Sequence, residues 1–193
     1  MHTPTPFRPT PLSRVLILAG IVVASPVWSD ATPQTLPFSQ DWTNTGLIST
    51  SDDWSGVPGI VGYLGDGLTS TTGVNAGTVL ADGLSTPIDV NANQSAPNSF
   101  NTGGVAEFHL TDPVVALNGS NTADAPFLLI HLDTRGFASV QVQYLLRDLD
   151  GSTDNAAQQI ALQYRIGSSG NFINVPAAYV ADATSGPSLA TAT

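Results

Sequence analysis

The sequence predicts an all-β fold, an antiparallel β-sandwich or jelly-roll-like assembly. Three observations predict it. Short apolar runs recur between clusters of Gly, Ser, Thr, Asn and Asp. Within the clearest runs apolar and polar residues alternate with a period of two, which places each set on one face of a strand. Helical periodicity is nearly absent. Many short strands with regular turn signals belong to sandwiches and barrels rather than to bundles.

In chain order, residues 1–31 differ from all that follows. Arg8 and Arg14 form a basic start, and residues 15–24 are an uninterrupted apolar run. That run is too short to span a bilayer, which takes about 20 residues. Pro26 breaks it, and Val27-Trp28-Ser29 fits a cleavage site before Asp30, with Ser29-Asp30-Ala31 fitting one before Thr32. This order of regions is that of a secretory signal peptide. The mature protein is therefore expected outside the cell, with no transmembrane anchor.

Residues 32–37 read as an exposed lead-in, and 38–193 as one β-sandwich module. The main strands are expected at 59–64, 105–110, 114–117, 126–133, 139–148, 159–167 and 172–175, with shorter ones at 36–40, 78–81 and 88–90. Residues 127–132, apolar on both faces, read as a central strand covered on both sides. Residues 83–104, with Asn91, Asn93, Asn98 and Asn101, read as a long polar loop. The best-patterned pair is 139–148 and 159–167. Val140, Val142, Tyr144 and Leu146 alternate with polar residues in one arm, and Ile160, Leu162, Tyr164 and Ile166 in the other. Residues 176–193 hold little that can close a sheet, so the chain reads as C-terminally truncated, with further strands expected beside that pair.

Charge narrows the function classes. Beyond the signal peptide three arginines, no lysine and all fifteen carboxylates remain if cleavage precedes Asp30, a formal charge of −12. Such a surface repels nucleic-acid phosphates and attracts divalent cations. The chain has no Cys, so no disulfide supports an exported fold that could have carried one. Bound Ca²⁺ is the natural substitute staple.

The acidic loop between the two patterned arms supplies the donors. Asp148, Asp150, Asp154 and Asn155 are hard oxygen ligands at loop spacing. It is not an EF-hand, since the required Gly and Glu positions hold Thr153 and Gln159. Ordinary turn chemistry, which favours Asp-Gly and Asp-Asn, explains the same residues without a metal. A second constellation is Trp42, Trp54 and Tyr63, with Asp41, Asp52 and Asp53 beside them. Aromatic faces and carboxylates together suit a sugar, but large aromatics also carry core area.

Catalytic signatures are missing from the sequence. His109 and His131 are the two histidines beyond the signal peptide, and no Gly-x-Ser-x-Gly elbow accompanies them. No His-Glu-x-x-His, phosphate loop or dinucleotide fingerprint occurs. Glu107 is the sole glutamate.

Several stretches carry a resemblance. They are 38–48 with Asp41 and Trp42, 52–65 around Trp54, 102–108, 123–127, 147–155 around Asp148 and Asp150, 161–170 and 180–190. Together they resemble the N-terminal β-sandwich module of bacterial secreted multidomain proteins. That resemblance implies a module that precedes other domains, including extracellular endonuclease/exonuclease/phosphatase-type domains. The expected function is that of a non-catalytic accessory, adhesion or binding module with a structural Ca²⁺ site, its partner an extracellular glycan or cell-surface component. Two other readings stay open: the front of an extracellular nuclease or phosphatase whose catalytic domain lies elsewhere, and a carbohydrate-binding module using Trp42, Trp54 or Tyr63.

Overall fold

The computed structural model describes residues 29–69, 73–82, 86–150, 157–184 and 188–192, the last segment by its backbone. The fold is all-β. Eleven strands are described: β1 (Gln34–Thr35), β2 (Ile60–Tyr63), β3 (Asn91–Gln94), β4 (Gly104–Phe108), β5 (Val114–Asn118), β6 (Phe127–Ile130), β7 (Leu132–Asp133), β8 (Val142–Leu146), β9 (Gln163–Tyr164), β10 (Ile173–Asn174) and β11 (Ser188–Ala192). The helical content among the described residues is three single 3-10 turns, at Ala76–Thr78, Pro97–Ser99 and Pro176–Ala178.

The strands form small sheets that do not close into a barrel. β3, β4 and β5 make one three-stranded sheet, and β2–β6, β8–β11, β9–β10 and β1–β7 are pairs. The pairing is mixed rather than purely antiparallel, because β1–β7 and β3–β4 run parallel. β3 reaches its parallel position through a connection that turns back at Pro97–Ser99, and its register on β4 shifts between Asn91 and Gln94.

The core gathers where β2, β3 and β4 meet. Ile48, Trp54, Val57, Ile60, Val61, Val90, Ala92 and Val105 form one buried cluster. Each fully buried Val or Ile contributes about 1.5–3 kcal/mol relative to exposure. Trp54 lies flat against β2, and Gly62 makes that approach feasible. A Cβ at Gly62 would sit 2.3 Å from Cζ2 of Trp54. Gly104, with φ +110°, starts β4 where a side chain would strike the Asp89 carboxylate at 2.1 Å.

β4 is the strand buried on both faces, the environment expected for 127–132. The latter run is divided instead. β6 ends at Ile130, which is 44% exposed, and His131 separates it from β7. Among the described residues β6 has β2 as its one sheet neighbour.

Other expectations are corrected. The two arms 139–148 and 159–167 are not each other's partners. β8 pairs with β11, Leu146 opposite Ser188 and Val142 opposite Ala192, whereas β9 pairs with β10. The segment 176–193, which the composition leaves without a strand, thus supplies β11. Residues 83–104 contain β3 rather than loop alone, and the 32–37 lead-in contains β1. The short candidates 36–40 and 78–81 hold no strand.

Candidate functional site

The acidic loop begins where β8 ends. Asp148 and Asp150 are both exposed, and Asp148 Oδ1 accepts the Asp150 N–H at 3.1 Å. This local bond folds the loop entrance into an Asx turn. Asp154 and Asn155 lie outside the described residues. Among the described residues no group of three metal-type side chains gathers. Arg147 pairs away from Asp148, with Asp112. Its guanidinium reaches the Asp112 carboxylate at 2.9 Å and also donates to the Asp112 carbonyl.

The three aromatic candidates all serve the core: Trp54 lies in its buried cluster, and Trp42 and Tyr63 pack against it. Trp54 is fully buried, and its indole N–H donates to the Asp89 carbonyl at 3.1 Å. It offers no ring face to solvent, so its part is that of core packing. Trp42 is half-buried and meets Trp54 edge-on, with centroids 6.4 Å apart. Its backbone holds a left-handed φ of 61°, a conformation that a bulky residue keeps only under constraint from its surroundings. Tyr63 packs against the same core and stacks on Phe127 at 4.9 Å.

Two polar groups that the sequence left without a role are built into the β-structure. Glu107 is 3% exposed; its Oε2 accepts the Asn93 N–H at 2.9 Å, and its Oε1 lies 2.6 Å from His109 Nε2. Asp89 accepts the Val105 N–H at 2.6 Å through Oδ2. Burial pushes the Asp89 carboxyl above its ordinary range, against the pull of that hydrogen bond. Neither group carries a sequence signal, because a lone carboxylate in an alternating strand reads as an outward one.

Arg165 is the most enclosed cation described. Its side chain is 12% exposed, 2.6 Å from Asp82, and stacked over the Phe172 ring at 4.4 Å. Tyr63 and His131 both feel this charge. His131 Nε2 is buried without a hydrogen-bond partner. Burial first, and then Arg165, pull its pKa down, while Asp30 opposes them. Between the lowered folded value and the ordinary value of about 6.5, the unfolded chain binds the proton and the folded chain does not. Stability contributed by neutral His131 is therefore lost as pH falls from about 6.5 towards the folded value. The raised Asp89 works in the opposite sense in a more acid window, upward from the ordinary carboxylate value. A melting midpoint that declines from pH 7.5 to 5.5, and declines less in His131→Leu, is the expected result. A variant with the same decline as wild type would remove His131 as the source.

One concave site is lined by residues that the sequence did not single out. The 3-10 turn Ala76–Thr78 faces the β9–β10 pair and the 3-10 turn Pro176–Ala178 across a cleft of about 270 Å³. Asn75, Thr78, Leu162, Asn174 and Tyr179 are among its lining residues. Gln163 Nε2 ties its walls together, donating to Val79 O at 3.0 Å and to Asn174 Oδ1 at 3.0 Å. No family model matches the chain, and no curated protein or solved structure is similar to it.

Proposed function

We propose that the chain is an exported, non-catalytic β-module that serves a larger secreted protein as an accessory, adhesion or binding region, with Ca²⁺ as a structural ligand at 148–155. One observation supports the module reading most directly. Among the described residues, the buried apolar side chains run from Ile48 to Ala123, with Ala178 the one exception. Apart from Leu117, at the margin of exposure, the large exposed apolar side chains among the described residues lie later, and include Phe137, Leu145, Tyr164, Ile166 and Ile173. Leu145 is 80% exposed and Ile166 93%. An acidic chain that closes its own core in one half and turns apolar groups outward in the other suits a neighbour that covers them. The cation reading is supported by the two exposed carboxylates at the loop entrance and by the chain's strong negative charge.

No described helix is long and apolar enough to cross a membrane. The test combines address and metal. The tagged protein, expressed with residues 1–31, is expected in the culture medium with its N-terminus at Asp30 or Thr32. Its melting midpoint should rise in Ca²⁺ and fall in EDTA, and Asp150→Ala should blunt both shifts. Retention of residues 1–31 inside the cell would overturn the export reading. A midpoint indifferent to Ca²⁺ and EDTA would overturn the metal.

A further inference from the structure

We infer that the cleft between Asn75–Thr78 and the Pro176–Tyr179 segment binds a neutral sugar ring. The inference rests on the binding-module reading and supplies its ligand class. It does not use the Trp42, Trp54 and Tyr63 constellation.

The lining is uncharged, although the chain carries fifteen carboxylates. An anionic ligand would meet no cation there, and a cationic ligand no carboxylate. What the walls offer is the Asn75 amide, the Thr78 hydroxyl, and the apolar surfaces of Leu162, Pro176 and Tyr179, while the Asn174 amide is engaged with Gln163 and Gly77. A ligand matched to this set has hydrogen-bonding groups on its rim and an apolar face. A pyranose ring has both. Drug-sized ligands occupy pockets of about 300–1,000 Å³. A cleft of about 270 Å³ suits one ring of a glycan, with the remainder of the glycan outside.

The site is held in shape by bonds between distant parts of the chain. Gln163 bridges Val79 and Asn174, and Asn174 Nδ2 donates to the Gly77 carbonyl at 2.5 Å. Asn75 Oδ1 accepts the Gly77 N–H at 2.8 Å, which turns its amide nitrogen to other uses. Thr78 Oγ1 donates to the Asn75 carbonyl at 2.7 Å and keeps acceptor capacity. Tyr179 is fixed by its hydroxyl, which donates to Gln159 Oε1 at 2.7 Å, so its ring is held at the cleft wall. Side chains positioned in advance lose little entropy on binding. Gly77 leaves room for the Asn75 amide, since a Cβ there would meet Asn75 Oδ1 at 3.1 Å.

The experiment is saturation-transfer difference NMR on the mature chain. The probes are glucose, galactose, mannose, N-acetylglucosamine, cellotetraose and chitotetraose, with glucuronate and glucosamine as charged controls. Transfer to at least one neutral sugar is expected, with at least tenfold weaker binding in Ala161→Phe, which fills the cleft, and in Tyr179→Ala, which removes its aromatic wall. Tyr179 is already part-exposed, and Trp54 fluorescence reports whether each variant stays folded. Transfer to none of the neutral sugars would overturn the inference. So would neutral-sugar binding that survives Tyr179→Ala in a folded variant, or binding confined to the charged controls. Each failure leaves the export and Ca²⁺ measurements intact, so a wrong ligand class is distinguishable from a wrong module reading.

Discussion

Trp54→Ala is expected to cost the fold about 3–5 kcal/mol. The indole is fully buried, with Ile48, Val57, Val61 and Val90 in the same cluster. Its removal leaves a cavity bordered by Gly62, which has no side chain to move into the space. It also strips the Asp89 carbonyl of its indole donor and Trp42 of its edge contact. Trp54→Phe keeps part of the ring area and loses the N–H, so a smaller loss is expected. Urea denaturation followed by far-UV circular dichroism measures both. A loss under about 1 kcal/mol for the alanine variant, well below the large-aromatic range, would mean that the ring does not anchor the core.

Glu107→Ala is expected to cost about 2–4 kcal/mol. Asn93 takes a left-handed φ of 58° inside the register shift of β3. Its N–H is bonded to the carboxylate rather than to a β4 carbonyl. Alanine removes the buried carboxylate that joins Asn93 and His109, leaving the part-buried Asn93 N–H and His109 without their acceptor. Glu107→Gln keeps the shape and an oxygen for Asn93, so about 1 kcal/mol is expected. Equal losses for Ala and Gln would show that the His109 contact, and not the Asn93 bond, carries the effect. An alanine variant within about 0.5 kcal/mol of wild type, the range of an ordinary surface change, would sink the argument.

Both residues show what the sequence did and did not make legible. Short apolar runs between turn signals located β2 and β5, and period-two alternation located β8, whose burial alternates along the strand. Alternation assigns faces and not partners. The 139–148 and 159–167 arms are both strand-like in sequence, yet β8 took β11 and β9 took β10. β3 is Asn91-Ala92-Asn93-Gln94, nearly devoid of apolar signal. It exists because Asn91 Nδ2 donates to Val105 O and Glu107 catches Asn93. β11 is Ser188-Leu189-Ala190-Thr191-Ala192, mostly small residues with one large apolar side chain and no strand signal to read. The core role of Trp54 was one of the two readings open for that residue. The cleft was illegible for a different reason. Its walls come from Asn75–Thr78 and from Leu162–Tyr179, and no local spacing announces that they will meet.

The pairing of β8 with β11 sets an order of events during synthesis. The strands of the buried cluster, β2 to β4, lie early in the chain, and their hydrogen-bonding partners, β5 and β6, follow shortly after. β8 emerges next and does not meet β11 until the segment carrying Ser188–Ala192 leaves the ribosome. Pairing over that separation closes a long loop, which is slow relative to local contacts. Until then the edge of β8, with Leu145 turned outward, is a sticky intermediate of the kind that holdase chaperones protect. A tether pulled from the C-terminus would meet the same order in reverse, peeling β11 away one hydrogen bond at a time while the tryptophan-centred cluster stays closed.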